Sequence, residues 1–419
     1  MFEFLDDLLN LPDTKVTGCK IVDDKIYIDV DSTTDEVKCR QCGGTTRSKG
    51  RAELREIRHL PMNGLECYLC IKAKRGICDK CDNTPTTNQR LKWYDYSSRY
   101  TKAYLDYLML LLVNSTLEDV AVKESLSADT IGRILDNQVS QNVEWNNFSR
   151  LGLIGVDEIA IRKGYNDYLT IITSRYKDKV RIVGVLKGRE KLPLKAFLKQ
   201  IPYRLKKTIE GVCCDMNEGY INAVLEGLKN KVPVIIDRFH VAKKYRQCLV
   251  ELRKSELIRL RKKLNDKQYK SLKSAIAILR RNAELISKEE RKELEKLFRY
   301  SPKLRTGYRF CRKLTNIYNS KIGRRRAMNK INDWIAEVEK SKLTQFDTFV
   351  KTLLKYKKHI VQYFNGRYTS GFVEGFNNKI KVIKRRCYGI FDENSLFRRL
   401  FLDTEGYGKY LSKPIVVNV

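Results

Sequence analysis

Between residues 150 and 240 the sequence alternates short apolar runs with amphipathic ones, and that alternation leaves few folds open. Leu153-Ile154-Gly155-Val156, Tyr168-Leu169-Thr170-Ile171-Ile172-Thr173 and Val180-Arg181-Ile182-Val183-Gly184-Val185-Leu186 are rich in β-branched and aromatic residues and read as strands. They follow one another closely enough to form a meander. Leu194-Lys195-Ala196-Phe197-Leu198-Lys199 reads as a helix, Gly211-Val212-Cys213-Cys214 as a fourth strand and Tyr220–Leu225 as a second helix. Val232-Pro233-Val234-Ile235-Ile236 is a last strand, closed by Asp237.

Two of these strands also end in an acid. Asp157 closes the first and Asp215 closes the fourth. A third acid, Glu374, lies in Ser370-Gly371-Phe372-Val373-Glu374-Gly375-Phe376-Asn377-Asn378-Lys379, which opens a basic helical stretch. Two carboxylates at strand ends and one on a helix can converge on a pair of divalent ions about 3.5–4 Å apart, a clamp for in-line displacement at a phosphodiester. Oxygen donors suit magnesium or manganese. A lone Asp after an apolar run is commonly a turn or cap residue, so the trio takes its meaning from its setting. Asp237 and His240 form an Asp-x-x-His at a strand end. They fit either an accessory role in orienting the site or a helix N-cap followed by a buried histidine. Glu158 points away from Asp157 if the strand continues, so it is not read as a ligand.

That setting is a net charge of +33, from 83 Lys and Arg against 50 Asp and Glu, which argues for a polyanionic partner and salt-dependent binding. An inert basic surface and a structural RNA-binding protein are the rival readings. Neither needs acids at strand ends. The start Met1-Phe2-Glu3-Phe4-Leu5-Asp6-Asp7 is acidic, unlike a secretory leader. The longest apolar stretch, Tyr107–Val113, is too short to span a bilayer. A cytoplasmic protein with no membrane partner is the expectation.

Twelve cysteines in such a protein point to metal or buried thiols. Cys39/Cys42 and Cys78/Cys81 are two Cys-x-x-Cys knuckles with glycines beside them, a spacing that lets four thiolates surround one structural zinc ion. Cys67 and Cys70 sit in an alternating run, Leu65–Lys74, and read as strand residues, with a swapped ligand set as the alternative. Cys19, Cys213, Cys214, Cys248, Cys311 and Cys387 are scattered and read as core or incidental. His59 reads as packed near the ribbon, not as a fifth ligand.

Thr116–Lys123 and Ser127–Leu135, the latter with Ser127 as N-cap, predict two helices that fit a helix-turn-helix or an ordinary helical hairpin. In the first case the second helix, with Arg133, enters a major groove. Residues 241–365 hold no convincing strand, and 251–300 alone carries 16 Lys and Arg against 8 acids, so this segment predicts a solvated, basic helical insertion. Its run Gly323-Arg324-Arg325-Arg326 is a candidate DNA contact. On the last helix Glu374, Asn378, Lys381 and Arg385 share one face.

The segments Gly155-Val156-Asp157-Glu158-Ile159-Ala160-Ile161-Arg162-Lys163-Gly164, Cys214-Asp215-Met216, Asp237-Arg238-Phe239-His240 and Glu374-Gly375-Phe376-Asn377-Asn378-Lys379 resemble bacterial insertion-sequence transposases of the ISL3 family over roughly residues 38 to 403. The strand and helix order above is that of a ribonuclease H-like core, which the resemblance also implies. The fold class expected is thus α/β: a ribonuclease H-like mixed sheet with a large all-α insertion, preceded by a zinc ribbon and a helix-turn-helix domain. The segments expected are an N-terminal β element (1–37), the ribbon (38–90), the helix-turn-helix domain (91–148), the core's first part (149–243), the insertion (244–365), the core's last part (366–403) and a tail (404–419). The resemblance implies a DDE transposase with Asp157, Asp215 and Glu374 holding two magnesium or manganese ions, and Cys39, Cys42, Cys78 and Cys81 holding one zinc. Arg133, Arg324, Arg325, Lys381, Lys384 and Arg385 are the candidate DNA contacts. The implied partners are double-stranded DNA, as terminal inverted repeats and target, in the bacterial nucleoid, and a homodimer or higher oligomer in the synaptic complex. The alternative is a non-catalytic zinc-ribbon/helix-turn-helix regulator with a degenerate nuclease core.

Overall fold

The computed structural model describes residues 2–411 except 141–142, 162–164, 166, 280, 282–285, 370 and 388–391. Arg162, Lys163, Gly164, Ser370 and the tail beyond Leu411, all part of the sequence expectations, lie outside the described residues. The chain is mixed α/β and divides into two compact units. One is Met1–Gln141 with Arg385–Gly389 and Arg398–Val419; the other is Asn142–Lys384 with Ile390–Phe397.

The first unit begins with helix α1 (Glu3–Leu9) and strands β1 (Thr14–Val22) and β2 (Lys25–Ser32). Asp23 and Asp24 between these strands both have positive φ, the turn conformation that Asp tolerates better than most residues. Strands β3 (Arg47–Arg51), β4 (Arg55–Met62), β5 (Leu65–Ile71), β6 (Lys74–Ile77) and β7 (Thr86–Asn88) follow. They do not form a β element and a ribbon in succession. The four-stranded sheet runs β1-β2-β5-β4, with β2 parallel to β5, and the three-stranded sheet runs β3-β6-β7. The expected 1–37 element is therefore half of a sheet whose other half comes from the 38–90 segment. The reason is burial: Ile26, Ile28 and Val30 on β2 and Cys67, Leu69 and Ile71 on β5 enclose one apolar core with Leu91, Trp93 and Tyr94.

Helix α2 (Lys102–Leu112) precedes α3 (Leu117–Lys123) and α4 (Ala128–Gln138), which match the two expected helices closely. Thr116 and Asp119 form a reciprocal capping box on α3, and Ser127 Oγ accepts from Thr130 N–H at the start of α4. A buried cluster ties the helices to β4: Tyr104 donates to Glu124 at 2.8 Å, and Arg58 lies 3.5 Å from the same carboxylate.

The second unit holds β8 (Gly152–Ala160), β9 (Tyr168–Tyr176), β10 (Lys179–Lys187), α5 (Lys191–Gln200), α6 (Tyr203–Lys206), β11 (Ile209–Cys214), α7 (Glu218–Gly227) and β12 (Val234–Ile236). The sheet order is β10-β9-β8-β11-β12. The β8-β9-β10 meander is antiparallel, and β8, β11 and β12 run parallel. Parallel neighbours need a crossover, supplied by helices α5 and α6 before β11 and α7 before β12.

Helix α8 (Arg238–Lys263) leads into α9 (Asp266–Ser271), α10 (Lys273–Ile278), α11 (Lys288–Tyr300), α12 (Pro302–Asn319), α13 (Arg324–Lys340), α14 (Asp347–Ile360) and α15 (Tyr363–Gly366), with no strand among the described residues. Trp334 is fully buried at the centre of this segment, packed on Phe310, Phe346 and Phe349, and its indole N–H donates to Phe310 O at 2.9 Å. A buried indole needs that partner.

Helix α16 (Gly371–Arg386) follows, then α17 (Glu393–Tyr410). From Arg398 onward α17 belongs to the first unit, where Leu402 and Tyr410 pack with Leu108, Leu112 and Ile131. Arg399 donates to the carbonyls of Leu112 and Ser115 at the end of α2. Residues 404–410, expected as tail, are thus the last turns of a core helix, and the expected last part of the core stops short of 403. Among the described residues no helix is long and apolar enough to cross a membrane.

Candidate active site and metal centre

The parallel register of three strands puts three aspartates abreast. Val156 on β8 pairs with Cys214 on β11, and Cys214 pairs with Ile236 on β12. Asp157, Asp215 and Asp237 are the next residue in each case. Asp215 and Asp237 follow the last residues of β11 and β12, where open α/β sheets commonly place a ligand site. Asp157 does not close its strand as expected: β8 runs on to Ala160, because it stays paired with β9 after β11 has ended.

Each aspartate has a different environment. Asp157 is half-buried; its Oδ1 accepts from Glu158 N–H at 2.8 Å and its Oδ2 from Asn377 Nδ2 at 2.7 Å. Burial, with Asp215 nearby, raises its carboxyl above the usual range against the pull of those donors and His240. Burial works the same way on Asp215, but His240, the Met216 amide and Lys244 outweigh it and hold that carboxyl below the usual range. His240 Nδ1 lies 3.2 Å from Asp215 Oδ1, and its Nε2 lies 4.0 Å from Asp237 Oδ2. The hydrogen bond to Asp215 raises the imidazole's pKa against the effect of its burial. Asp237 is buried and caps α8, accepting from Phe239 N–H at 3.1 Å. Asp237 is thus the N-cap that the second reading of Asp-x-x-His expected, whereas His240 is partly exposed and faces Asp215.

Glu374 stands exposed in the first turn of α16. Glu374, Asn378, Lys381 and Arg385 all lie on the exposed face, while Val373, Phe376, Asn377, Ile380 and Ile383 are buried, as the spacing predicts. Among the described residues the three acids do not close into a metal-ligand cluster: the one group of three or more such side chains with ligand atoms within 4.8 Å of one another is elsewhere. The donor set still fits a hard divalent cation, because Asp157 and Asp215 are half-buried carboxylates at neighbouring positions of adjacent parallel strands. Sequence reasoning missed Asn377. The available signal was an Asn, a poor helix former, on the buried face of a helix one turn after an acid.

That other group is Cys39, Cys42, Cys78 and Cys81. Cys39 and Cys81 Sγ are 3.9 Å apart, and Cys42 and Cys78 Sγ 3.7 Å. A tetrahedron with Zn–S near 2.3 Å needs about 3.8 Å between sulfurs, so the geometry fits. The first knuckle turns tightly: Gly43 N–H donates to Cys39 O, and Gly43 has φ 72°. Backbone amides of Cys42 and Gln41 lower the Cys39 thiol to about 6, which favours the thiolate. Cys67 and Cys70 lie on β5, outside this group, and burial pushes their thiols up to about 12 and about 11. His59 is buried in the neighbouring sheet, 3.0 Å from Thr101 Oγ1.

The basic candidates divide. Arg133 on α4 and Arg324 and Arg325 at the start of α13 are exposed. Lys381 and Arg385 are exposed on α16. Lys384 turns inward instead: its ammonium donates to Ala160 O at 3.0 Å and Ile161 O at 2.7 Å, and burial lowers its pKa. It fastens α16 to the end of β8.

Residues 154–400 match the ISL3 family model, described as a transposase. The transposase for insertion sequence element IS1001 of Bordetella parapertussis is 26% identical over 371 residues, covering 88% of this chain and 89% of that protein. The transposase for insertion sequence element IS1557 of Mycobacterium tuberculosis is 21% identical over 391 residues, covering 88% and 86%. Among solved structures, the Drosophila P element transposase strand transfer complex is similar at 12% identity with a TM-score of 0.39, covering 74% of this chain and 92% of that one.

Proposed function

The chain belongs to the ISL3 family of transposases, and from that premise we propose that it binds the terminal inverted repeats of an insertion sequence and cuts and joins DNA strands by a DDE mechanism. The observation that carries this reading is the alignment of Asp157 and Asp215 on adjacent parallel strands. The sheet order around them, an antiparallel meander flanked by two parallel strands, supports a ribonuclease H-like core. Asp157, Asp215 and Glu374 are the proposed catalytic carboxylates.

Magnesium or manganese bound there would supply positive charge to the attacking and leaving oxygens of the phosphodiester. The chain's own residues do the rest. Asp157 and Asp215 present carboxylate oxygens at one edge of the sheet. His240 holds the Asp215 carboxylate from the first turn of α8, with Asp237 behind it. Lys381 and Arg385, on the same face as Glu374, follow the DNA backbone, and Arg324 and Arg325 add phosphate contacts on the insertion. Arg133 on α4 reads a groove as part of a helix-turn-helix. The four cysteines hold one structural zinc, and two or more copies assemble on paired ends.

The exposure of Glu374 is the observation that favours the second reading, a DNA-binding regulator without catalysis. One experiment separates the two. The full chain is incubated in magnesium with a duplex carrying the inverted repeat that flanks its gene. Cleavage is expected, with losses on the order of a hundredfold or more in Asp157→Ala, Asp215→Ala and Glu374→Ala, because misplacing a reacting group by about 1 Å already costs that much. End binding is expected to persist in all three, and Asp237→Ala to show a smaller defect. Binding without cleavage by the wild-type chain would select the regulator.

A further inference from the structure

Helix α16 is fastened to β8 at three points. Val373 and Phe372 press on Gly155, Asn377 donates to Asp157, and Lys384 donates to the carbonyls of Ala160 and Ile161. The contacts advance in the same direction along both elements. From 373 to 384 a helix rises about 16 Å, and from 155 to 161 a strand extends about 20 Å. The helix therefore lies alongside the strand, and its register against the strand is set.

Asn377 occupies the middle of that seam and is 7% exposed. Its Nδ2 makes the 2.7 Å bond to Asp157. Its Oδ1 is buried, with no hydrogen-bond partner among the described residues. A buried polar atom without a partner costs about 1–3 kcal/mol, so an amide is kept at this position at a cost in stability.

We propose that Asn377 is a positioning residue of the acidic site: its N–H fixes the orientation of the Asp157 carboxylate. This rests on the reading of Asp157 above. With Glu158 N–H on one oxygen and Asn377 on the other, Asp157 is held in one orientation while each oxygen keeps a lone pair. An apolar side chain of similar size fills the same space but cannot hold the carboxylate.

The test compares Asn377→Leu, Asn377→Asp and Asp157→Ala in the full chain bound to its terminal-repeat duplex. Manganese(II) binding is read by electron paramagnetic resonance, cleavage by single-turnover rate, and folding by melting temperature and duplex affinity. In Asn377→Leu the manganese half-saturation is expected to rise on the order of tenfold, the range for groups that orient ligands. Its cleavage rate is expected to fall on the order of a hundredfold with duplex affinity unchanged. Asn377→Asp keeps the shape and the acceptor but cannot donate. It is expected to lose at least tenfold in rate, and it decides the matter if the Leu variant melts early. Wild-type half-saturation and rate in either variant would make Asn377 a packing residue and overturn the proposal. If Asp157→Ala cleaves like wild type, the catalytic reading of Asp157 fails first. If Asp157→Ala is dead while Asn377→Leu is normal, this inference alone fails.

Discussion

Gly155 leaves no room above its Cα for any side chain: a Cβ there would lie 2.3 Å from Val373 Cγ2 and 2.7 Å from Thr173 Oγ1. The residue two before Asp157 thus sets how closely the helix bearing Glu374 and Asn377 approaches the strand bearing Asp157.

Gly155→Ala is therefore expected to push α16 off β8. Overpacking of this kind costs about 1–3 kcal/mol. A denaturant melt should show that loss. Cleavage should fall further than stability alone explains, while duplex binding stays near wild type. Unchanged cleavage would mean that the approach of α16 does not matter to the chemistry.

Lys384 and the arginines of α13 are expected to separate in a salt titration. Each phosphate contact removed lowers the log–log slope of DNA affinity against salt by about 0.9. Arg324→Ala with Arg325→Ala should lower the slope by about 2. Lys384→Ala should leave it unchanged and reduce cleavage instead, because its ammonium holds the end of β8. Equal slopes for the two variants would contradict this division.

His59 makes the first unit sensitive to acid. Burial lowers its pKa from 6.5 to about 4. The unfolded chain therefore binds a proton between those values that the folded chain does not. Stability is full above pH 6.5 and falls as the pH drops toward 4, by about 3 kcal/mol at most. Protonation would also disturb the contact with Thr101, whose hydroxyl caps α2. Melting curves between pH 7 and 4.5 should drop less steeply in His59→Gln than in wild type.

The four cysteines should hold one zinc per chain, measured by elemental analysis of the purified full-length protein. Cys78→Ser with Cys81→Ser should abolish it, and Cys67→Ser with Cys70→Ser should not. Removal by a chelator should lower the melting temperature of the first unit, because metal binding to such a site is coupled to folding. Zinc retained without Cys78 and Cys81 would reassign the ligands.

Much of this was readable residue by residue. Thr116 and Ser127 announce α3 and α4 because a cap acts within three residues of itself. The knuckles are legible because two thiolates three residues apart can bend round one ion. The strand runs at Asp157 and Asp215 are legible because period and turn chemistry are local. Other features were not. Nothing near residues 25–32 says that β2 lies parallel to β5, which made 1–37 look like a separate element. Nothing in Lys384 distinguishes it from Lys381, yet one is turned inward and the other exposed.

The sequence by itself determined most of the elements, the donor types and the chain's own strong positive charge, since each depends on neighbours a few positions away or on a sum over the chain. Only the tertiary structure decided which aspartates stand abreast, which lysine is spent on backbone carbonyls, and that Asn377 meets Asp157 from 220 residues away. Those outcomes come from packing. They depend on how closely whole faces approach, as α16 approaches β8 over Gly155, and no local rule reports that distance.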